Sequence, residues 1–243
     1  MSTTQTSTPK NGAGVAAPST ELSILVPVLN RPANVSPLLD DIALSTGSDV
    51  EVVFIATIGD TDELVAISHE MERDDIKVEL LTIPAKALGD YARKINTGIR
   101  RTTSEWIFMG ADDLHFKPGW FGAAKLVYES TGKLVIGTQD LGNSRVLRGE
   151  HSTHTLVHRS YVARGTIDNP NKVLHEGYPH EFVDDEFIET AKKRDEFVFA
   201  HNSVVEHLHP LWGKAPTDAL YDGHRKRMNN GRRIYMKRRR LWR

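Results

Sequence analysis

The chain contains no cysteine among its 243 residues. This absence excludes a disulfide framework, a thiolate nucleophile and a zinc site with cysteine ligands. A chain without cysteine suits a reducing compartment, and we expect a cytoplasmic protein. The N-terminus also has no basic segment followed by an apolar one, so no secretory signal is predicted. No apolar run approaches the roughly 20 residues of a membrane span.

Acidic residues are missing from the C-terminal end. Residues 224–243 contain ten Lys or Arg and no Asp or Glu, whereas the whole chain has 31 basic and 32 acidic residues. Subtracting the tail leaves 21 basic and 32 acidic residues, a formal charge of −11 for residues 1–223. The tail is either an arm for a polyanionic partner such as DNA, an anionic membrane or a phosphorylated substrate, or a helix docked on the acidic body.

The apolar pattern predicts an α/β fold with a mostly parallel sheet. Residues 1–20 are aperiodic and rich in Ser, Thr, Gly, Ala and Pro, which is typical of a disordered leader. One domain is expected over residues 21–218, followed by a basic tail or helix over 219–243. Predicted strands cover residues 22–28, 50–56, 77–83, 106–109, 133–137 and 197–200. A first helix is predicted to begin at residue 35. Further helices are predicted over residues 61–71, 87–101, 120–130 and 184–194.

Two loops after predicted strands carry residues suited to a nucleotide. Asp112 and Asp113 follow an apolar strand, and ligands of open α/β sheets bind beyond the carboxyl ends of strands. Paired carboxylates suit a hard divalent cation and its bound phosphate, although Asp is also a common turn residue. The loop after the first strand contains Pro27, Asn30 and Arg31, of which Asn30 and Arg31 can contact a base or phosphate.

Two further clusters lie near the C-terminus. Four acidic residues, Glu181, Asp184, Asp185 and Glu186, stand near the start of a predicted helix. Acidic residues there complement the helix dipole, and one of them can also serve as a general base. His207-Leu208-His209 places two imidazoles on the same side of an extended segment, which suits a metal ligand or a phosphate contact.

Taken in order, these segments resemble family 2 glycosyltransferases with the Rossmann-like GT-A fold. The resemblance covers residues 22 to about 218, and its order and compact length also resemble small enzymes of this family encoded by bacteriophages. Such an origin would place the protein in the host cytoplasm. The segments that carry the resemblance are Val26–Arg31, Gly59–Glu63, Gly89–Gly98, Gly110–Asp113, Asp184–Phe187 and His207–His209.

The resemblance implies an inverting transfer from a nucleotide-sugar to an acceptor hydroxyl on a modified DNA base, a protein or a glycan. It implies Mn²⁺ or Mg²⁺ on Asp112, with Asp113 beside it and His207 or His209 completing the ligand set. Asp184 occupies the position of the catalytic base, with Asp185 as second choice. The loop with Pro27, Asn30 and Arg31 borders the donor, as does Arg93. His209, Lys214 and Arg93 are candidates to stabilise the departing diphosphate.

Two departures from the family pattern bear on donor and metal. Thr57 stands where the family often has an Asp that contacts uracil, so a UDP-sugar is the expected donor but its base stays open. Gly110 replaces the first Asp of the metal motif. These departures leave an alternative, a catalytically inactive nucleotide- or nucleic-acid-binding protein on the same fold. A nucleotidyltransferase is a third reading, disfavoured because no Gly-rich, Lys-bearing phosphate loop is present.

Overall fold

The computed structural model describes residues 20–47, 49–86, 90–217 and 224–242. Apart from Thr20, the expected leader lies outside these residues, as do Gly89 and the junction at residues 218–223. Within them, eight strands form one sheet. The strands are β1 (Leu22–Pro27), β2 (Val50–Thr57), β3 (Lys77–Ile83), β4 (Trp106–Met109), β5 (Leu114–Phe116), β6 (Val135–Gln139), β7 (Thr155–His158) and β8 (Phe197–His207).

Helices cover both faces of this sheet. They are α1 (Val35–Thr46), α2 (Thr61–Glu70), α3 (Asp90–Arg101), α4 (Trp120–Thr131), α5 (Ser144–Leu147), α6 (Arg159–Val162), α7 (Val183–Lys193) and α8 (His224–Arg238). Short 3-10 helices occur at Pro32–Asn34, Pro210–Trp212 and Arg239–Trp242. No helix in the described ranges is long and apolar enough to cross a membrane.

The sheet order is β3-β2-β1-β4-β7-β6-β8-β5. Strands β1 to β4 pair in parallel, β7 runs antiparallel to both β4 and β6, and β8 is parallel to β6. The carboxyl ends of β1, β2, β4, β6 and β8 therefore meet at one edge, where polar loops from distant parts of the chain converge. The short strand β5 returns antiparallel along β8.

Alternate residues of the central strands point to opposite faces of the sheet and form two apolar cores. On one face, Ile24 and Phe54 pack with α1 and α4, and on the other, Leu25 and Ile55 pack with α3 and α7. This follows from the two-residue period of a strand. Because both faces are covered, the central strands are apolar throughout, as the near-continuous run of β2 indicates.

Most predicted elements are confirmed within a few residues, but the region after residue 138 differs. β8 continues to His207 instead of ending at Ala200, because its second half pairs with β5, a three-residue strand too short to show periodicity. The run Thr155–Val162 divides into strand β7 and helix α6.

The basic tail forms helix α8, which packs on the segment around the start of α7. Arg238 bonds to both carboxylate oxygens of Glu186, at 2.6 and 2.7 Å, and Arg227 Nε donates to Glu181 Oε1 at 3.0 Å. Ile234 packs against the adjacent core. Gly231 is buried at the crossing, where a Cβ atom would lie 2.5 Å from the backbone oxygen of Glu181. The structure therefore has the tail docked on the acidic body through one face.

Replacing Gly231 with Ala tests this close approach. The added methyl meets a backbone oxygen that cannot rotate away, so Gly231→Ala should lower the free energy of unfolding by about 1–2 kcal/mol despite the better helix propensity of Ala. Gly122 in α4 is the matched control, since a Cβ there meets nothing within 4 Å. Chemical denaturation should show Gly122→Ala unchanged or slightly more stable. Equal stability of the two variants would contradict the docked arrangement.

Candidate active site

The centre of the polar edge is the Asp112–Asp113 pair that follows β4. Arg31 Nη1 lies 3.2 Å from Asp112 Oδ1 and 3.3 Å from Asp113 Oδ2, so one guanidinium bridges both carboxylates. Asn34 Nδ2 donates to Asp112 Oδ2 at 3.2 Å. The two side chains are only 9% and 13% exposed. Two adjacent carboxylates are thus held in a poorly hydrated place by the loop after β1.

His207 joins this pair because β5 and β8 are in register. Leu114 pairs with His207 across the two strands, which sets Asp113 beside the imidazole, and Nε2 lies 3.3 Å from Asp113 Oδ1. His154 packs edge-on against the His207 ring with the centroids 4.8 Å apart. The Nδ1 atoms of His154 and His207 are buried and have no hydrogen-bond partner among the described residues.

The surroundings shift the pKa values of the two carboxyl groups in opposite directions. Burial and the neighbouring Asp113 raise the pKa of Asp112 to about 7, despite Arg31. Burial also opposes ionisation of Asp113, but the hydrogen bond from His207 and its positive charge outweigh burial and lower the pKa of Asp113. The two carboxylates therefore repel each other, and this repulsion opposes the ionisation of Asp112.

The donor types in this cluster suit a divalent metal ion. Carboxylate oxygens and an imidazole nitrogen form the donor set that Mn²⁺ accepts, and Mg²⁺ accepts its carboxylate part. A second cation beside Arg31 would relieve the repulsion between Asp112 and Asp113. Gly110 cannot readily be replaced by a further carboxylate, since a Cβ there would lie 3.1 Å from the backbone oxygen of Leu25.

A second carboxylate centre stands at the start of α7. His151 Nε2 lies 3.0 Å from Asp184 Oδ2, and Arg145 is paired with Asp185. Ligand atoms of His151, Asp184 and Asp185 all lie within 4.8 Å of one another. The His151 side chain is 1% exposed while that of Asp184 is 27% exposed, so Asp184 meets solvent with the imidazole behind it.

The two α7 carboxyl groups differ in the same way as the first pair. Burial opposes ionisation of Asp184, but the hydrogen bond from His151 outweighs burial and lowers its pKa. Burial and the charge of Asp184 raise the pKa of Asp185, although Arg145 acts against them. Asp184 is therefore the carboxylate that stays ionised and reaches solvent, the two properties required of a general base.

Three side chains, Tyr91, His154 and His180, lie near both centres. Burial, followed by the charges of Asp184 and Asp113, raises the pKa of Tyr91. Burial is the main reason that the pKa of His154 falls to about 3, but Asp113 and Asp184 both act on it too. His180 packs edge-on against Tyr91 at 5.5 Å. Single side chains thus lie within electrostatic range of Asp113 and Asp184, so the two centres are neighbours.

The loop after β1 is fixed from three sides. Lys94 Nζ donates to the backbone oxygen of Val28 at 2.6 Å, and the backbone N–H groups of Asn30 and Arg31 donate to Asp60 Oδ2 and Glu63 Oε2, each at 2.7 Å. Asn30 adopts the left-handed backbone region, with φ 53°. These contacts aim Arg31 at Asp112 and Asp113.

The other residues expected at the site have contacts of their own outside the two carboxylate centres or beside them. Thr57 is buried at the end of β2, and its hydroxyl has no partner among the described residues. Arg93 is paired with Asp90 and Pro84, and Lys214 with Glu206 and the backbone of Leu141. His209 accepts the Leu211 N–H and packs against His207 at 5.0 Å. Pro27 is the last residue of β1, at the same edge.

Several residues of the site escape sequence reasoning. His151 and His154 fall in an irregular stretch without helical or strand period, and Arg145 lies on a four-residue helix. Asn34 belongs to a 3-10 turn. One signal was available, since His154 immediately precedes strand β7 and His151 lies three residues before His154.

The sequence matches a known protein family. The family model described as Glycosyl transferase family 2 matches residues 23–184, more than half of the chain. The chain belongs to this family. No curated protein matches the sequence significantly.

Solved structures share the fold at low sequence identity. The mannosyltransferase PcManGT from Pyrobaculum calidifontis, solved with GDP-Man and Mn²⁺, has a TM-score of 0.66 at 16% identity over 88% of this chain and 63% of that one. TarS 1–349 from S. aureus, solved with UDP-GlcNAc, gives 0.61 at 14% over 87% and 66%. This chain therefore spans slightly less than two thirds of either. These likenesses confirm the GT-A fold.

A third structure is more similar in length. Glucosyl-3-phosphoglycerate synthase from Mycobacterium tuberculosis, solved with Mn²⁺, UDP-glucose and phosphoglyceric acid, gives a TM-score of 0.56 at 13% identity over 87% of this chain and 78% of that one. The family 2 protein described here thus shares its fold with proteins solved with different nucleotide bases, and the fold alone does not choose between them.

The crowding of Asp112 and Asp113 predicts that the site reduces stability when no divalent cation is present. Asp112→Asn removes one of two adjacent buried charges while Arg31 keeps Asp113 as a partner. In the presence of a chelator at neutral pH, we expect the free energy of unfolding of this variant to be about 1 kcal/mol higher than that of the wild type. Asp74→Asn, at an exposed position, is the control and should change little. A destabilised Asp112→Asn would mean that its bonds to Arg31 and Asn34 outweigh the repulsion.

Proposed function

We propose that this protein is a metal-dependent inverting glycosyltransferase, which moves a sugar from a nucleotide-sugar donor to an acceptor hydroxyl. The observation that carries the proposal is the pair of neighbouring carboxylate centres. Asp112, Asp113 and His207 form one centre, and Asp184 with His151 forms the other. A sugar between them would meet diphosphate-binding groups on one side and a base on the other.

The first centre is assigned to the donor diphosphate. Asp112, Asp113 and His207 would hold Mn²⁺ or Mg²⁺, with His209 adjacent, and the bound metal supplies Lewis-acid stabilisation of the diphosphate charge. Arg31, which already bridges both carboxylates, contributes a fixed positive charge beside the same diphosphate. Arg93 and Lys214 are tied to other partners, which makes them weaker candidates for this role.

The donor base is assigned to the edge of the sheet at the carboxyl ends of β1 and β2. A buried hydroxyl without a partner costs free energy, so the Thr57 hydroxyl is suited to bond to a base carbonyl. The neighbouring structures support the nucleotide-sugar class but differ in base, since PcManGT was solved with GDP-Man and TarS with UDP-GlcNAc. A UDP-sugar is the first donor to test.

The second centre is assigned to the acceptor. Asp184 takes the proton from the acceptor hydroxyl as its oxygen attacks the anomeric carbon from the face opposite the diphosphate. The C1–O bond to the diphosphate breaks with its electron pair, so the configuration inverts. His151 holds the Asp184 carboxylate in place and favours its ionised form, and Asp185 is engaged by Arg145.

Replacing Asp184 with Asn tests the base assignment. Asn keeps the shape but cannot accept the proton, so transfer should fall by about 10²–10⁴-fold with little change in donor affinity. Diphosphate release during sugar transfer is the readout. Unchanged turnover in Asp184→Asn would contradict the assignment, and donor binding without any turnover in the wild type would favour the inactive nucleotide-binding alternative.

His151 should shift the pH dependence through Asp184. Because the bond from His151 lowers the pKa of Asp184, His151→Leu should raise that pKa and move the acidic limb of kcat/KM to higher pH. His151→Gln keeps an N–H donor and should restore part of the profile. His69→Gln, at an exposed site on α2, is the control. An acidic limb that stays in place in His151→Leu would contradict the coupling.

A further inference from the structure

Helix α8 has two faces with different partners. Its inner face carries Arg227, Gly231, Ile234 and Arg238, which repeat at helical spacing and contact the body. Arg238 also binds both oxygens of Asp168, at 2.7 and 2.8 Å. Of the nine Lys and Arg residues in the described part of the tail, residues 224–242, two form these docking contacts.

The outer face of α8 and the 3-10 turn after it carry seven exposed basic residues. None of them forms an ion pair within the described ranges, and no acidic residue follows His224. Like charges at this density repel one another, so the bare face is unfavourable until an anion binds. The seven residues are Arg225, Lys226, Arg232, Arg233, Lys237, Arg239 and Arg240.

The start of α8 adjoins the candidate active site. His224 Nδ1 lies 3.1 Å from Glu181 Oε1, three residues before Asp184. An open depression of about 230 Å³ separates this end of the helix from the turn after β8, and is lined by Pro210, Leu211, Thr217 and His224. A long ligand lying along α8 would therefore run toward the space beside Asp184.

The shape and charge of this face fit a nucleic acid better than a lipid surface. α8 has 15 residues and is roughly 22 Å long, which spans several phosphates of a DNA strand. A helix that enters a membrane interface presents its large apolar residues outward. Here Ile234 and Tyr235 point inward to the protein core. The exposed large apolar residues are Met228 and Met236 on α8 and Leu241 on the 3-10 turn, against seven exposed basic residues.

We propose that the outer face of α8 is a docking surface for nucleic acid, which brings an acceptor hydroxyl of the bound strand to Asp184. The assignment of the bound strand as acceptor rests on the proposed function, whereas the binding itself does not. Phosphates would pair with the exposed guanidinium and ammonium groups, independently of sequence.

Anisotropy of a fluorescein-labelled DNA duplex, measured with the full-length protein over a range of KCl concentrations, tests the surface. The variant Arg232→Gln, Arg233→Gln, Lys237→Gln removes three charges from the outer face. The matched control Arg100→Gln, Arg101→Gln, Lys133→Gln removes the same residue types at the opposite edge of the sheet. Thermal melting should first show both variants folded.

We expect wild type and control to bind DNA with a steep salt dependence. The α8 variant should bind more weakly, with the slope of log K against log salt reduced by about 3. Equal binding by the two variants, no binding by the wild type, or wild-type binding to phosphatidylglycerol vesicles but not to DNA would overturn the proposal. DNA binding by a wild type that binds no nucleotide would leave the surface standing and contradict the transferase function instead.

Discussion

The site depends on one electrostatic constraint, the placement of two adjacent and largely buried carboxylates, Asp112 and Asp113, at the edge of the sheet. Water cannot screen them fully, so the surrounding structure has to supply positive charge and hydrogen-bond donors. Arg31 does so from the loop after β1 and His207 from the end of β8. Segments far apart in sequence are thereby drawn to one point, and a bound divalent cation would relieve the repulsion that remains between the two carboxylates.

The second carboxylate cluster shows how one acidic segment serves two purposes. Glu181 and Glu186 bind Arg227 and Arg238 of α8. Asp184 and Asp185 point instead to His151 and Arg145. The helix dipole at the start of α7 favours acidic residues in general, but their separate partners decide which become structural. Helix α8 therefore docks on the same segment that carries the proposed base, Asp184.

The fold could be predicted from the sequence because its central strands and helices have clear periods. The apolar run of β2 and the boundaries of β3 and β4 illustrate this, and the family motifs add their order along the chain. Strand β5 could not be predicted, since three residues show no period, and its pairing sets the true length of β8.

Some residues of the candidate site could likewise be predicted from the sequence, and others could not. Asp112, Asp184 and His207 stand next to regular elements, so their position in the pattern made them visible. His151 lies in an irregular stretch, and only the fold brings it to Asp184, 33 residues away. The tail was recognisable as basic, but which of its cations dock and which stay exposed depends on helical phase against α7. Composition alone carries no such information.

The most direct measurement is calorimetric titration of the wild type and Asp112→Asn with UDP, GDP and TDP, each with and without Mn²⁺. A donor site formed by the Asp112 centre predicts that one nucleotide binds well, that Mn²⁺ is required, and that Asp112→Asn abolishes the effect. The identity of that nucleotide would also name the donor base that Thr57 leaves open. Binding of no nucleotide, or binding that needs neither Mn²⁺ nor Asp112, would contradict the account.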